Sequence, residues 1–131
     1  VLLILFSACN ENAAKALRDA SVANDIVQKF AIDAHSKGLM TTEETRLIVE
    51  GTTKIAESGK VAVAVLRGIH AQDPESRSKA LDAIGLVADQ LGALIKTLDI
   101  KNDRARREIE AGLLVVQTGL NSARLIVAGS N

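Results

Sequence analysis

Apolar side chains recur along this chain at spacings of three and four, and that rhythm divides it into four stretches. Ala13, Ala16, Ala20, Ala23, Val27, Phe30 and Ala34 make the first seam, which predicts a helix from about Glu11 to Lys37. Gly38 is its stop, because glycine readily takes the left-handed conformation that closes a helix. Thr41-Thr42-Glu43-Glu44 starts the second: a Thr41 hydroxyl can cap the new helix while Glu44 reaches back to the Thr41 N–H. This helix runs to about Ala71, with Ile48, Ile55, Ala62, Val65 and Ile69 inward. Its run Val61-Ala62-Val63-Ala64-Val65 has strand-like composition but is short and lies inside a helical period, so it reads as helix. Asp73-Pro74-Glu75 opens the third helix, with Asp as cap, Pro in the first position and an acid in the first turn. The third seam is Leu81, Ile84, Ala88, Leu91, Ile95 and Leu98. After a loop over Asp99–Asn102, the fourth helix reaches about Ala128 on Ile109, Leu113, Val116, Leu120, Ala123 and Val127.

Four helices of similar length joined by short loops predict an all-α fold, an antiparallel up-down-up-down four-helix bundle. Each helix would be about 35–45 Å long at about 1.5 Å per residue. Opposite charges four apart, Lys15/Asp19, Asp25/Lys29 and Asp33/Lys37, mark the wetter faces of the first helix. Arg46-Leu47-Ile48-Val49 recurs as Arg124-Leu125-Ile126-Val127, but the flanking residues do not align and no internal repeat follows. The Ala-rich faces leave homo-oligomerisation open.

Composition removes several function classes. Sixteen basic and sixteen acidic side chains balance, so no global field draws the chain to nucleic acid. Beyond Phe6 and Phe30 there is no Phe, Trp or Tyr, which takes away the usual platform for stacking bases or sugars. A single Cys excludes the zinc and haem-attachment spacings, and no Glu-x-x-His pair of the di-iron kind occurs. There is no phosphate-cradling glycine loop and no serine nucleophile elbow. His35 and His70 fall near the ends of consecutive helices, at opposite ends of the expected bundle, and cannot share a metal. No cofactor, metal or catalytic set is expected, and the chain does not read as an enzyme.

Two features ask for another explanation. Seven of the nine glycines fall inside predicted helices, each at a cost of up to about 1 kcal/mol relative to Ala. Gly85/Gly92 and Gly112/Gly119 are pairs seven apart, each on one helix face. Close approach of backbones is the simpler reading. The alternative is a carrier, with a glycine-lined groove between helices three and four holding a small apolar or lipid-like ligand. The second feature is Lys101, Arg104, Arg106 and Arg107 around the start of helix four, where positive charge opposes the helix dipole. Asp103/Arg107, Arg104/Glu108 and Arg106/Glu110 can pair across one turn, which favours a solvated ion-pair face.

The N-terminal junction carries the strongest functional signal. Residues 1–8, Val-Leu-Leu-Ile-Leu-Phe-Ser-Ala, are uncharged and end in two small side chains before Cys9, after which the chain turns polar at Asn10-Glu11-Asn12. Eight residues fall far short of the roughly 20 that span a bilayer. A lone Cys cannot make an intrachain disulfide. Phe6-Ser7-Ala8-Cys9 resembles the lipobox of bacterial lipoproteins, with Phe6 where that family usually has Leu. The resemblance covers about ten residues. It implies that signal peptidase II cuts before Cys9 and that Cys9 bears a diacylglyceryl group. Residues 1–8 would then be the end of a signal peptide and 9–131 a single domain. In the family's sorting rule an Asp after the Cys retains the protein at the inner membrane. Asn10 stands there, which points to the outer membrane, facing the periplasm.

With Cys9 at a bilayer, the 38–41 and 98–103 turns lie at the far end of the bundle, about 40 Å out. Leu39, Met40 and Ile100, together with Lys101, Arg104 and Arg107, form a candidate contact tip for an envelope protein; the simpler role of the three apolar residues is to close the core. The expectation is a non-enzymatic, membrane-anchored binding or scaffolding module.

Overall fold

The computed structural model describes the backbone of residues 2–68 and 74–129, and within them the side chains from Glu11 onward. Four helices account for nearly all of it: α1 (Leu2–Ser36), α2 (Thr42–Gly68), α3 (Pro74–Thr97) and α4 (Asp103–Gly129), with no strand among the described residues. α1 packs on α2 and α4, and α3 packs on α2 and α4. No diagonal contact joins α1 to α3 or α2 to α4 among the described residues, so the helices form a ring around one shared core. The expected all-α, four-helix fold is observed.

The core is aliphatic. Ile48 and Leu66 of α2, Ile84 and Val87 of α3, and Ile109, Leu113 and Val116 of α4 are its largest fully buried apolar side chains. Each contributes on the order of 1.5–3 kcal/mol relative to exposure. α1 supplies mostly small residues, Ala13, Ala20, Ala23, Ala31 and Ala34, with Leu17 and Val27 between them. A seam of alanines lets neighbouring backbones come close. α4 buries all six residues of its expected seam.

Two seams differ from expectation. α3 buries Ala80, Ile84, Val87, Leu91 and Leu94, whereas Leu81 and Ala88 are half-buried and Ile95 is exposed. Both sets alternate by three and four and share Ile84 and Leu91, so periodicity cannot choose between them. Gly51 of α2 does: a Cβ there would lie 2.6 Å from Leu94 Cδ1, so the missing side chain makes the seat for Leu94 and rotates α3 toward it. α2 buries Leu66 rather than Val65, and adds two polar residues, Thr52 and Ser58. Their hydroxyls donate to carbonyls one turn back, Thr52 Oγ1 to Ile48 O at 2.7 Å and Ser58 Oγ to Lys54 O at 2.9 Å. Ser58 also hydrogen-bonds the Gln90 side chain of α3. Asn24, only 2% exposed, donates from Nδ2 to Thr52 O at 2.8 Å across the α1–α2 contact, while its Oδ1 has no partner among the described residues.

The helix ends follow local chemistry. Gly38 has φ +75°; its N–H bonds His35 O at 3.0 Å and the Leu39 N–H bonds Ala34 O at 2.9 Å, the paired closure of a Schellman stop. The capping box is present as read: Glu44 N donates to Thr41 Oγ1 at 3.1 Å and Thr41 N to Glu44 Oε1 at 2.8 Å. Pro74 opens α3, while Ile69, His70, Ala71 and Asp73, expected around that turn, lie outside the described residues. Asn102 caps α4, accepting from Ala105 N at 2.9 Å. α1 departs most from expectation, starting at Leu2 instead of Glu11. The apolar-to-polar change at Asn10 involves neither Gly nor Pro, so nothing in the sequence stops the helix there.

Candidate functional site

The end of the fold that carries the 38–41 and 98–102 connections is built on Glu44. Its Oε1 completes the α2 cap, and its Oε2 accepts from Lys101 N at 2.9 Å, which ties the connection before α4 to the first turn of α2. Partial burial pushes the Glu44 carboxyl up. The N–H bonds from Thr41 and Lys101 and the Thr41 hydroxyl outweigh that burial and the nearby Asp99 charge, so it titrates below the usual carboxylate range. Beside it, Arg46 forks Glu43 and reaches Glu50 at 2.7 Å, and the bond from Arg46 holds the Glu43 carboxyl low.

The six candidate residues of this tip separate by type. Met40 (4% exposed) and Ile100 (3% exposed) belong to the core, and Leu39 is half-buried against it. All three close the end of the core and do not form an outward apolar patch. The cations stay outside. Lys101 Nζ pairs with Asp99 at 2.8 Å, which raises its pKa. Arg104 and Arg107 are exposed, and Arg107 Nε donates to the Asp103 carbonyl oxygen at 3.3 Å. Asp103 pairs with Arg106 at 2.7 Å, three residues on, in place of Arg107; Arg106 also lies 4.0 Å from Glu110. What remains at the tip is a mixed-charge, largely self-paired surface with Glu43, Glu44, Asp99 and Lys101 around a shallow depression of about 260 Å³.

The four candidate groove glycines do not face one another. A Cβ on Gly119 would fall 2.8 Å from Ala20 Cβ and 3.1 Å from Ala16 O, and one on Gly112 would collide with Val27 Cγ2. Both therefore meet α1, not α3. Gly85 looks toward Arg124 of α4 at 3.9 Å, and Gly92 toward open space. Spacing of seven puts two residues on one face but does not say which neighbour that face meets. The Gly112/Gly119 pair is close backbone packing of α1 on α4.

Comparison with protein families, characterised proteins and solved structures finds no match. Functional inference therefore rests on this chain's own residues. Cys9 lies inside the continuous helix α1, between Ala8 and Asn10. His35 Nε2 shares a 3.1 Å hydrogen bond with Thr42 Oγ1 at the α1–α2 connection; His70 lies outside the described residues. Among the described residues, no group of three or more His, Cys, Asp or Glu is placed to hold a metal ion.

One surface escaped the sequence reading. From Ala111 to Gly129 the sole charged residue of α4 is Arg124. Of the apolar residues there, Leu114, Val115 and Leu125 point outward, Leu125 71% exposed. Val22 and Ile26 of α1 are also exposed, each at 60%. By length and composition α4 could cross a membrane, the one such helix among the described residues, but that apolarity divides between a seam packed in the core and this outer face. The sequence carries the signal as a charge-free run beside the stronger inner seam.

Proposed function

We propose that this chain is a membrane-anchored helical lipoprotein of the bacterial envelope, held through an acylated Cys9 and serving as a non-enzymatic binding or scaffolding module. The observation that carries the reading is the junction Phe6-Ser7-Ala8-Cys9, where an uncharged segment ends in small residues before the chain's single Cys. Cleavage before Cys9 leaves residues 9–131 as one domain, with the acylated residue at the new start of a shortened α1. Asn10 directs it to the outer membrane, facing the periplasm.

The domain is an antiparallel up-down-up-down bundle. Support comes from the order of the cross-helix contacts. Ascending α1, Asn24 and Gln28 bond Thr52 O and Val49 O of α2. Ser58 and Gly51 of α2 meet Gln90 and Leu94 of α3, and Ala20 and Val27 of α1 meet Gly119 and Gly112 of α4. In this arrangement Cys9 and the end of α4 share the membrane-proximal end, and the Glu44 tip is distal. The partner is an envelope protein, and its contact surface is the uncharged outer face of α4 with Val22 and Ile26, because large exposed apolar faces mark interaction surfaces.

The test is metabolic labelling of the complete gene product with a clickable palmitate in a bacterial host. Wild type takes up label and Cys9→Ser takes up none. Equal labelling of the two, or none of either, refutes the anchor. A photocrosslinking residue at Leu125 should give a discrete adduct in the envelope, and one at the exposed Glu57 of α2, a helix that does not touch α4, should not. Adducts at both or neither refute the α4 surface.

A further inference from the structure

Several charged side chains on the described surface pair with an opposite charge one turn away: Asp25–Lys29, Asp33–Lys37, Glu43–Arg46–Glu50, Glu75–Lys79 and Asp103–Arg106–Glu110. One groove gathers charges of a single sign instead. A groove of about 320 Å³ between α1 and α2 is lined by three cations, Arg18 from α1 and Lys60 and Arg67 from α2, and by no carboxylate. None of the three has an ion pair among the described residues, and all three are exposed. The other open grooves differ. The one between α2 and α3 has Glu50 beside Lys54, and the tip depression is mainly acidic.

The placement follows from helical spacing. Lys60, Val63, Ala64 and Arg67 stand at i, i+3, i+4 and i+7, hence on one face of α2, with the two cations about 10 Å apart. Arg18 and Ser21 stand three apart on the facing stripe of α1. Gly59 has nothing within 4 Å of where its Cβ would be, so the groove's floor is open there and is otherwise the apolar surface of Val63 and Ala64. Like charges converging on one groove repel, in a chain with as many acids as bases. An anion between them turns that repulsion into attraction. Two guanidinium forks and an ammonium suit phosphate oxygens, and the Ser21 hydroxyl adds a donor. The uncharged floor suits a ligand that is apolar beyond its phosphate.

We propose that this groove binds a phosphate ester carrying an apolar arm, with the phosphate held by Arg18, Lys60 and Arg67 and the arm laid on Val63 and Ala64. Such an ester could be a lipid headgroup or a soluble molecule. In the up-down arrangement Arg67 lies near the level of Cys9, within reach of headgroups if Cys9 is acylated. The groove itself does not depend on acylation.

The test uses the unacylated 131-residue chain at low salt, titrated by calorimetry with dihexanoyl phosphatidic acid below its micelle concentration. Binding is expected, weakened about three- to tenfold by Arg18→Gln or Arg67→Gln and more by both together. Gly59→Leu, filling the floor, should abolish it while circular dichroism stays unchanged, and inorganic phosphate should bind at least about tenfold more weakly. Flotation with phosphatidylcholine vesicles, with and without phosphatidic acid, identifies the source. Acid-dependent flotation that Arg67→Gln reduces assigns a lipid headgroup; calorimetric binding without flotation assigns a soluble ester. No calorimetric binding, binding unchanged by the double substitution, or phosphate binding as tightly as the lipid overturns the proposal. None of these outcomes bears on whether Cys9 is acylated, so the two readings fail separately.

Discussion

Alanine in place of Gly119 should destabilise this protein, although alanine is the better helix former. In an open helical position Gly→Ala gains up to about 1 kcal/mol. At Gly119 the new Cβ would sit 2.8 Å from Ala20 Cβ, 3.1 Å from Ala16 O and 3.3 Å from Ala20 Cα. Favourable carbon contacts begin near about 3.5 Å, and two of these three neighbours are backbone atoms, so no rotamer change relieves the overlap. α1 and α4 must move apart by about 0.5–1 Å, loosening the Val27 and Val116 packing on either side. Overpacking of this kind costs about 1–3 kcal/mol. Set against the propensity gain, a net loss of up to about 2 kcal/mol remains. Gly59→Ala is the matched control, because nothing lies within 4 Å of its Cβ position; it should gain about 0.5–1 kcal/mol. Urea titration followed at 222 nm reads both, with opposite shifts of the midpoint and an unchanged slope. A Gly119→Ala variant as stable as wild type, or a destabilised Gly59→Ala, would refute the claim that Gly119 marks backbone approach and Gly59 marks open space.

Three further outcomes follow from other sites. Glu44 titrates low in the folded protein, so its contribution is present above the unfolded value near pH 4.5 and is lost as pH falls through the folded value. The urea midpoint of wild type should therefore drop between about pH 5 and pH 3, and Glu44→Gln should flatten that drop; identical pH profiles would contradict the role given to Glu44. Thr41→Ala removes the cap on α2 and should cost about 1 kcal/mol by the same titration, whereas a shift below about 0.3 kcal/mol would show that the capping hydroxyl is idle. Asn24→Val replaces a buried side chain whose Oδ1 has no partner among the described residues and should raise stability by about 0.5–1.5 kcal/mol; a fall of the same size would mean that Oδ1 is satisfied in solution.

Local interactions were the more legible, though Lys15/Asp19, Asp103/Arg107 and Arg104/Glu108, each one turn apart, do not form ion pairs among the described residues. The Thr41/Glu44 box, the Gly38 stop and the Asp25–Lys29 and Asp33–Lys37 pairs each involve residues within one turn, and each is present. The α4 seam was legible because Ile109, Leu113, Val116, Leu120, Ala123 and Val127 make an unbroken stripe along the whole helix, whereas Leu114, Val115 and Leu125 make a sparser one. α3 offered two stripes sharing Ile84 and Leu91, and the choice lay with Gly51 on another helix. The direction in which Gly112 and Gly119 look was hidden for the same reason: it belongs to the pairing of α4 with α1. Glu44 was read as half of a cap, while its bond to Lys101 N spans 57 residues and has no local trace. Lys60 and Arg67 share a face of α2 in the sequence, but Arg18 lies more than forty residues away and joins them only once α1 and α2 pair. The start of α1 at Leu2 was not legible because a change in polarity at Asn10 is not a helix boundary.

The cellular role proposed for this chain turns on what happens at Cys9. Its most direct test is the intact mass of the protein recovered from a bacterial host that expresses the complete gene. The account predicts a membrane-fraction species that begins at Cys9 and carries the added mass of a diacylglyceryl group. An uncut, unmodified polypeptide in the soluble fraction would contradict it.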